Sequence, residues 1–256
     1  MKMKRILWAV ALMLVAAVPE SKAIELDTGN PEKPFALGVR VGANCSNLSN
    51  NYTSSMYNVT SSDNQWKAGF MAGVVFDLNI KKYLVLQPGF FFETRANDYR
   101  LTMVDRDMPS VTDVNGSYSS TYFKIPLVMS FRLQFTPKVE WQVDFGPYFQ
   151  FGLGGSEKFN VYSLSAPERT DDAGFPYVEV NTVDGRYKRD YFGGDGFVRD
   201  YDWGFKMGTG MLLMEHYYVG IHYEAGCRNV MKPVEGSRRD VNGHNKAWDF
   251  TVGYVF

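Results

Sequence analysis

The nine residues Trp248–Phe256 (WDFTVGYVF) decide how the rest of the chain is interpreted. Bulky apolar residues alternate there with small or polar ones, at Trp248, Phe250, Val252, Tyr254 and Phe256. A period of two predicts a β-strand. Because a terminal strand with a free edge is an aggregation hazard, we expect it to close the sheet onto the first strand of the chain. A large apolar face outside and a small or polar face inside is typical of a transmembrane barrel.

The N-terminal segment predicts export. Basic residues near the start precede the apolar run Ile6–Val18, and Ser21 and Ala23 are the small residues that a signal peptidase reads. The run is short for a membrane-spanning helix. We therefore expect residues 1–23 to be a cleaved signal peptide, residues 24–34 a periplasmic segment, and residues 35–256 a single outer-membrane barrel domain.

Eight alternating runs follow along the chain: Phe35–Asn44, Trp66–Leu78, Tyr83–Arg95, Thr121–Gln134, Val139–Gly155, Tyr201–Met214, Tyr217–Arg228 and Ala247–Phe256. Connections of two to four residues alternate with connections of about 18 to 45 residues. This asymmetry predicts an all-β fold, an eight-stranded antiparallel up-and-down transmembrane β-barrel with short periplasmic turns and long extracellular loops. A soluble lipocalin-like barrel is the alternative, and it would expose the glycines.

Three prolines fall inside the predicted strands. Pro88, Pro126 and Pro147 lack the N–H that a sheet ladder uses. We therefore expect bulges or kinks at these positions, beyond which the facing of side chains could shift by one residue.

The composition limits the chemistry that the chain can carry. It has three histidines, two cysteines and a formal net charge of −1. Metal clusters and redox motifs have few ligands to use, and nucleic acid would meet no excess of positive charge. We expect no cofactor, no metal site and no nucleic-acid partner.

Four short motifs carry a family resemblance. They are Leu84–Gly89 (LVLQPG), Tyr122–Leu127 (YFKIPL), Phe145–Tyr148 (FGPY) and Trp248–Phe256. In this order they resemble the strand motifs of the PorT-like outer-membrane β-barrel family of Gram-negative bacteria, over nearly all of the mature chain. The resemblance implies an eight-stranded barrel in a family mostly without assigned activity, and it implies that prolines are accommodated in such strands. The segment 156–200 has no counterpart in the resemblance.

The inward face of the predicted barrel holds six basic and six acidic residues: Arg40, Arg95, Lys124, Arg132, Lys206 and Arg228 with Asp77, Glu93, Asp144, Asp202, Glu224 and Asp249. Balanced charges in a narrow interior predict an ion-pair plug. A narrow pore or a small-solute-binding barrel is the alternative. A third is a lipid-modifying or proteolytic enzyme that uses His222 beside Glu224 as a base. No nucleophile can be placed beside them, so we expect no enzyme.

The long segment 156–200 is rich in aromatic residues, and six of them are candidates for surface recognition: Tyr162, Phe175, Tyr177, Tyr187, Tyr191 and Phe192. Long loops without a role are uncommon, and mixed aromatic and polar surfaces suit recognition. A lid over the barrel mouth is the alternative. The expected partners are outer-membrane lipid, an unknown extracellular or envelope protein and the barrel insertion machinery, with Trp248, Phe250, Tyr254 and Phe256 as the C-terminal assembly signal.

The two cysteines lie at the same end of the predicted barrel. Cys45 follows the first predicted strand, and Cys227 lies at the end of the seventh. Export favours a disulfide between them. The last strand should lie between their strands, however, which gives a separation of about 9–10 Å and leaves the bridge an open question.

Overall fold

The computed structural model describes residues 29–105, 109–136, 138–194 and 196–256. Its helix is α1 (Tyr52–Ser55), and its strands are β1 (Phe35–Asn50), β2 (Val59–Lys81), β3 (Leu84–Asp105), β4 (Ser110–Thr136), β5 (Val139–Ser165), β6 (Glu168–Thr170), β7 (Pro176–Val178), β8 (Asn181–Asp190), β9 (Tyr201–Leu213), β10 (Tyr217–Gly226) and β11 (Gly243–Val255). The expected signal peptide at residues 1–23 lies outside the described residues, as do residues 24–28.

Eight strands pair in a closed ring. Their order is β1, β2, β3, β4, β5, β9, β10 and β11, and β1 pairs with β11 to complete it. All the pairings are antiparallel; Val39, for example, lies opposite Val74 on one side and Tyr254 on the other. The structure therefore confirms the all-β antiparallel ring and its closure by the C-terminal strand. Within the described ranges, no helix is long and apolar enough to cross a membrane.

Side chains alternate between the two faces of this wall. On β1 and β11 large apolar residues such as Val41 and Phe250 are exposed outward, while Asp249 and Thr251 are buried inside. Gly42 needs its lack of a side chain, because a Cβ there would lie 2.2 Å from the Phe250 carbonyl oxygen. Exposed aromatic residues lie towards both ends of the wall: Trp66, Trp203 and Trp248 at the loop end, and Tyr217, Tyr254 and Phe256 at the turn end.

The strands on one side of the ring are longer than the sequence predicts. β2 begins at Val59 rather than Trp66, β3 runs to Asp105, and β4 begins at Ser110. The predicted loop of about 25 residues between β3 and β4 is thus mostly strand. Beyond the apolar wall the outward face carries mainly polar residues such as Arg100, Asn115 and Asn160, so the alternation of apolar-out and polar-in on which the prediction relied disappears.

The segment 156–200 is also largely strand. β5 continues to Ser165, β6 and β7 form a small hairpin, and β8 returns antiparallel to β5 from Asn181 to Asp190. β8 lies at the end of the sheet order, paired through β5 alone. Residues 191–200 then lead back to β9. The prediction that this segment is a single long loop is therefore wrong.

The prolines cause no bulge. Pro88 lies opposite Leu127, Pro126 opposite Tyr148, and the same registers continue on both sides of each pair. The register shifts lie elsewhere: between β2 and β3 at Val59/Ser61, Trp66/Met71 and Asn79/Lys81, and between β4 and β5 at Thr121/Tyr122 and Gln134/Thr136. The expected bulges at the prolines are wrong, and the predicted inward facing is kept by the charged residues that lie on strands, which excludes Arg228 beyond the end of β10.

An apolar cluster occupies the loop end of the barrel. This mouth cluster consists of Leu48, Tyr118, Tyr191, Val198, Val230, Met231 and Val241. Its members come from β1, β4, residues 191–200 and the connection between β10 and β11. These segments pack on one another above the charged interior and cover the loop end of the lumen.

Candidate functional site: the charged barrel interior

Six charged residues form a cluster near the middle of the lumen. This central cluster consists of Glu93 and Arg95 of β3, Lys124 of β4, Lys206 of β9, Glu224 of β10 and Asp249 of β11. Each faces inward in the alternation of its strand, and each is at most 7% exposed. Three positive and three negative groups therefore meet where little water can enter.

Apart from Arg95 with Glu93 on β3, the ion pairs of the central cluster join residues from different strands. Lys124 Nζ lies 2.7 Å from Glu224 Oε1 and 3.4 Å from Asp249 Oδ2, and it also contacts Glu93. Arg95 Nη2 lies 2.6 Å from Glu224 Oε2, and Lys206 Nζ lies 2.9 Å from Glu224 Oε1. Because a buried charge is tolerated only with good partners, these contacts offset much of the desolvation cost.

A second group lies closer to the short turns. This turn-side cluster consists of Asp77, Gln87, Arg132, Gln142, Asp144 and His222. Arg132 pairs with Asp77, to which Gln87 Nε2 also donates at 2.7 Å. Gln142 Nε2 donates to Asp144 at 2.8 Å. The glutamines link the carboxylates into one network. In the sequence, only the alternation that directs them inward indicated these glutamines.

Three predicted members of the charge network have other partners. Arg40 lies over the Tyr218 ring, 3.7 Å from its centroid, and Arg228 donates to the Tyr201 carbonyl at 3.2 Å. Asp202 accepts from Asn245 at 2.8 Å and from Gln150 at 3.1 Å. None of the three makes an ion pair within the described part of the chain, so the ion pairs of the interior involve only part of the balanced set of twelve charges.

His222 is oriented by a different carboxylate from the one predicted. Its Nε2 lies 2.7 Å from Asp144 Oδ2. Among the described residues no serine, threonine or cysteine hydrogen-bonds to it. The alternative in which His222 acts as a base beside Glu224 therefore lacks that contact, because Glu224 is already held by Lys124, Lys206 and Arg95.

Among the described residues, small cavities remain in the interior. One, of about 20 Å³, is lined by His222, Thr251, Arg40 and Asp144 among others. His222 Nδ1 and Thr251 Oγ1 have no hydrogen-bond partner within the protein, so the cavity fits about one bridging water molecule. Another, of about 10 Å³, lies below the mouth cluster next to Tyr191. Neither is large enough for a solute.

The carboxylates of Glu93, Glu224 and Asp249 lie close enough together to share a cation. The three nearby cationic groups already neutralise them, and Lys124 Nζ contacts all three. A divalent ion would have to displace that ammonium group. The donor set therefore fits an ion-pair cluster and does not fit a metal ion.

The aromatic residues predicted for recognition divide into two groups. Tyr162, Phe175, Tyr177 and Tyr187 are exposed, by 47–69%. Tyr191 is only 1% exposed and packs against Tyr118, Phe197 and Phe192, with ring centroids 4.8–5.2 Å away. Burial raises the pKa of Tyr191, so it stays neutral. Recognition through Tyr191 and Phe192 is thus wrong, because they pack in and against the mouth cluster.

Both cysteines are free thiols. Cys45 lies opposite Trp248 of β11, and Cys227 follows β10 on the far side of that strand. The residue level with Cys45 across β11 is Tyr223, four residues before Cys227, so the two cysteines are separated by two strand spacings and by this offset, beyond the reach of a disulfide. The structure thus decides the open question against the bridge.

The C-terminal aromatic residues lie on the outer surface. Trp248, Phe250, Tyr254 and Phe256 are 37–62% exposed, and the Phe256 N–H donates to the Leu37 carbonyl at 2.8 Å. They therefore belong to the wall that faces the surroundings of the barrel.

A closed antiparallel ring with an apolar outer surface and a charged interior defines an outer-membrane β-barrel. The comparison with protein families agrees with this class. The family described as the outer membrane protein beta-barrel domain matches residues 21–232, and the chain belongs to it. The protein is located in the bacterial outer membrane.

Solved barrels resemble the chain weakly. Ail of Yersinia pestis, in complex with the heparin analogue sucrose octasulfate, is 12% identical, with 88% of this chain and 100% of that chain covered and a TM-score of 0.36. OprG of Pseudomonas aeruginosa is 8% identical, with coverages of 90% and 98% and a TM-score of 0.33. Neisserial surface protein A is 11% identical, with coverages of 85% and 96% and a TM-score of 0.33. No curated protein matches.

Proposed function

We propose that this protein is a closed, non-enzymatic outer-membrane barrel that presents a recognition surface at its loop end. The observation that carries the proposal is the central cluster, in which charges from five strands neutralise one another inside the lumen. A conduit for solutes needs a continuous wet path, whereas these side chains occupy the path and hold each other in place.

Two further layers support closure. Below the central cluster, Arg132, Asp77 and the two glutamines fill the turn side of the lumen. Above it, the mouth cluster packs over the opening. An ion that crossed the barrel would have to disrupt both layers as well as the central ion pairs.

The orientation follows the usual design of such barrels. The short turns face the periplasm and the long strand extensions face the exterior. Residues 1–23 act as a signal peptide that is removed on export, and residues 24–34 precede the barrel on the periplasmic side. Within the family the chain is PorT-like, which the four strand motifs support. Outer-membrane lipid surrounds the wall, and the barrel insertion machinery reads the C-terminal aromatic residues.

The recognition surface is the exposed part of the segment after β5. Phe175 and Tyr177 of the β6–β7 hairpin are 69% and 47% exposed, next to the exposed Val178 and Val180. Large apolar groups that face water at a protruding tip are typical of binding surfaces. An extracellular or envelope protein is the partner that this surface fits.

Conductance measurements test the closed lumen. The refolded protein in a planar bilayer should give no steady single-channel steps. The double variant Arg40→Ser, Arg132→Ser should leak or lose stability, because it removes side-chain volume from the lumen and leaves Asp77 without its cation. Large, stable steps from the unmodified protein would contradict the proposal.

The second candidate is a narrow pore or a small-solute-binding barrel. The cavity beside His222 and Thr251 favours it, because it contains polar atoms without protein partners. At about 20 Å³ it accepts a water molecule and no larger solute. Saturable binding of a small solute that Thr251→Val abolishes would favour this candidate.

A further inference from the structure

The strand extensions above the apolar wall continue the sheet of the ring on one side of the barrel. The upper parts of β2, β3, β4 and β5, with β8 at the edge, continue the barrel on one side. The pairing registers place their outward-facing residues in two adjacent rows: Gln65, Asp98, Ser117, Lys158 and Lys188 in the first, and Asp63, Arg100, Asn115, Asn160 and Arg186 in the second. This outer face contains no large apolar side chain in either row.

A depression lies across these two rows. It measures about 380 Å³ and is lined by residues of both, with Gly116 and Tyr99 also at its boundary. A cavity of this size accepts a sugar-sized ligand. The amide and hydroxyl groups of Gln65, Asn115, Ser117 and Asn160 suit the hydroxyl groups of a saccharide.

The cations at this face are not all paired. Arg100 Nη2 lies 2.7 Å from Asp113 Oδ2, and Lys67 Nζ lies 2.7 Å from Asp98 Oδ1. By contrast Lys158, Lys188 and Arg186 are exposed and form no ion pair within the described ranges. Lys158 and Lys188 lie directly opposite each other across β5 and β8. Like charges in that position destabilise a sheet, and an anion bound between them would remove the repulsion.

The height of this face indicates which anion it meets. On the same strands, the nearest large apolar residues that face outward below it include Phe92 and Leu153, which are 59% and 58% exposed on the apolar wall, and small or polar residues such as Thr94, Ala96 and Ser156 lie between them and the rows. Lys158 is five residues beyond Leu153 on β5. The cationic rows therefore lie at the level of the lipid headgroups, where basic residues bind anionic lipid.

We propose that the outer face of the strand extension binds the phosphorylated saccharide headgroup of a surrounding lipid, with Lys158, Lys188 and Arg186 on the phosphate and the polar rows on the sugar. This rests on the orientation proposed above, which directs the loop end to the leaflet rich in phosphorylated glycolipid. Charge-assisted contacts to phosphate supply most of the affinity, and the depression accommodates the saccharide.

A binding assay in detergent tests the site without depending on orientation or on conductance. The full refolded chain is titrated with a diphosphorylated glucosamine-disaccharide lipid and with the same lipid after removal of its phosphates. Lys158→Gln with Lys188→Gln should weaken binding of the phosphorylated lipid about 30-fold, while the dephosphorylated lipid binds weakly to both proteins. Asn160→Lys, which adds a charge to the second row, should tighten binding about fivefold.

The matched control is Lys33→Gln with Lys138→Gln, which removes two exposed charges at the opposite end of the barrel and should leave binding unchanged. Each variant is first checked for the heat-dependent gel shift of a folded barrel. Equal affinity of the Lys158, Lys188 variant and the unmodified protein would overturn the proposal. Displacement of the lipid by an equal concentration of inorganic phosphate would assign the site to free phosphate and would also overturn it.

Discussion

Lys124 Nζ lies 2.7 Å from Glu224 Oε1, although the two residues are 100 positions apart and their strands are not neighbours in the ring. Both side chains are fully buried. The contact therefore crosses the lumen. It links two strands that share no backbone hydrogen bonds. The stability of the barrel and its closure consequently depend on the same ion pairs.

Lys124→Met tests this dependence. The variant leaves Glu93, Glu224 and Asp249 with only two cations between them, so it should lower the free energy of unfolding by about 3–5 kcal/mol. Urea titration of the refolded barrel, followed by the heat-dependent gel shift, measures the loss. Lys67→Met is the matched control, because Lys67 pairs with Asp98 at the same distance of 2.7 Å but both side chains are at least 40% exposed. Lys67→Met should lower the free energy of unfolding by less than about 1 kcal/mol. Equal losses would show that the buried pairs are unimportant.

The sequence predicted the ring because the alternation on the wall is strong. Lipid outside and a narrow lumen inside select opposite residue types, as Phe250 and Thr251 show. Above the wall this contrast ends, so the strand extensions at Val59–Gln65 and Ser110–Ser120 carried no comparable pattern. The bulges expected at the prolines do not form, because the ladder tolerates one missing N–H when the neighbouring pairs fix the register.

The sequence predicted which residues lie in the interior, but it did not predict which of them pair with one another. Alternation placed Asp144, Lys206 and Glu224 inside, but which groups meet depends on the stagger of strands far apart in sequence. His222 illustrates this: Glu224 is its neighbour along the strand, yet Asp144, 78 positions away, is its partner. Arg228 was assigned inward by the same alternation and lies past the end of β10, where the pattern no longer applies.

The two cysteines should titrate as two free thiols in denatured, unreduced protein. In the folded barrel, Cys227 is exposed and should react quickly with a water-soluble maleimide, whereas Cys45 is half-buried on the lipid-facing side and should react slowly. A titre of zero would show a disulfide and would require the ends of β1 and β10 to approach each other past β11.

Tyr191→Ala should loosen the mouth cluster without unfolding the ring. Removing a buried aromatic side chain costs about 3–5 kcal/mol where the site cannot collapse, and these contacts lie outside the barrel ladder. Trypsin should then cleave at the exposed Arg199 about tenfold faster or more, with the gel shift retained. Tyr162→Ala, at a side chain that is 53% exposed, should leave the cleavage rate unchanged. Loss of the gel shift in Tyr191→Ala would instead make the cluster part of the barrel fold.

Deletion of Phe256 should separate folding from assembly. The residue contributes one backbone hydrogen bond to Leu37, and its exposed ring packs only against Tyr254 among the described aromatic residues. The purified variant should therefore still refold in detergent. Insertion in cells should fall sharply if the insertion machinery reads the terminal aromatic residue, and Phe256→Trp should restore it. Normal insertion of the deletion variant would show that the signal lies elsewhere in β11.

The β6–β7 hairpin can be removed without disturbing either the barrel or the mouth cluster. Ser165 and Asn181 are a directly opposed pair at the ends of β5 and β8, so a short Asn-Gly turn in place of residues 166–180 should close at little cost. The exposed Phe175 and Tyr177 are lost, while Tyr191 stays in place. The gel shift and the trypsin resistance at Arg199 should therefore be unchanged, and binding of any protein partner should disappear.

A larger deletion, Tyr162–Phe192, provides the comparison, because it also removes β8 and Tyr191 and should raise cleavage at Arg199. If the hairpin recognises a partner, both deletions abolish binding but only the larger one loosens the mouth cluster. If the hairpin acts instead as a lid, its removal should increase the permeability of the barrel and leave binding intact. That result would move the recognition role away from Phe175 and Tyr177, because the barrel would then be closed by the hairpin rather than by the interior charges and the mouth cluster.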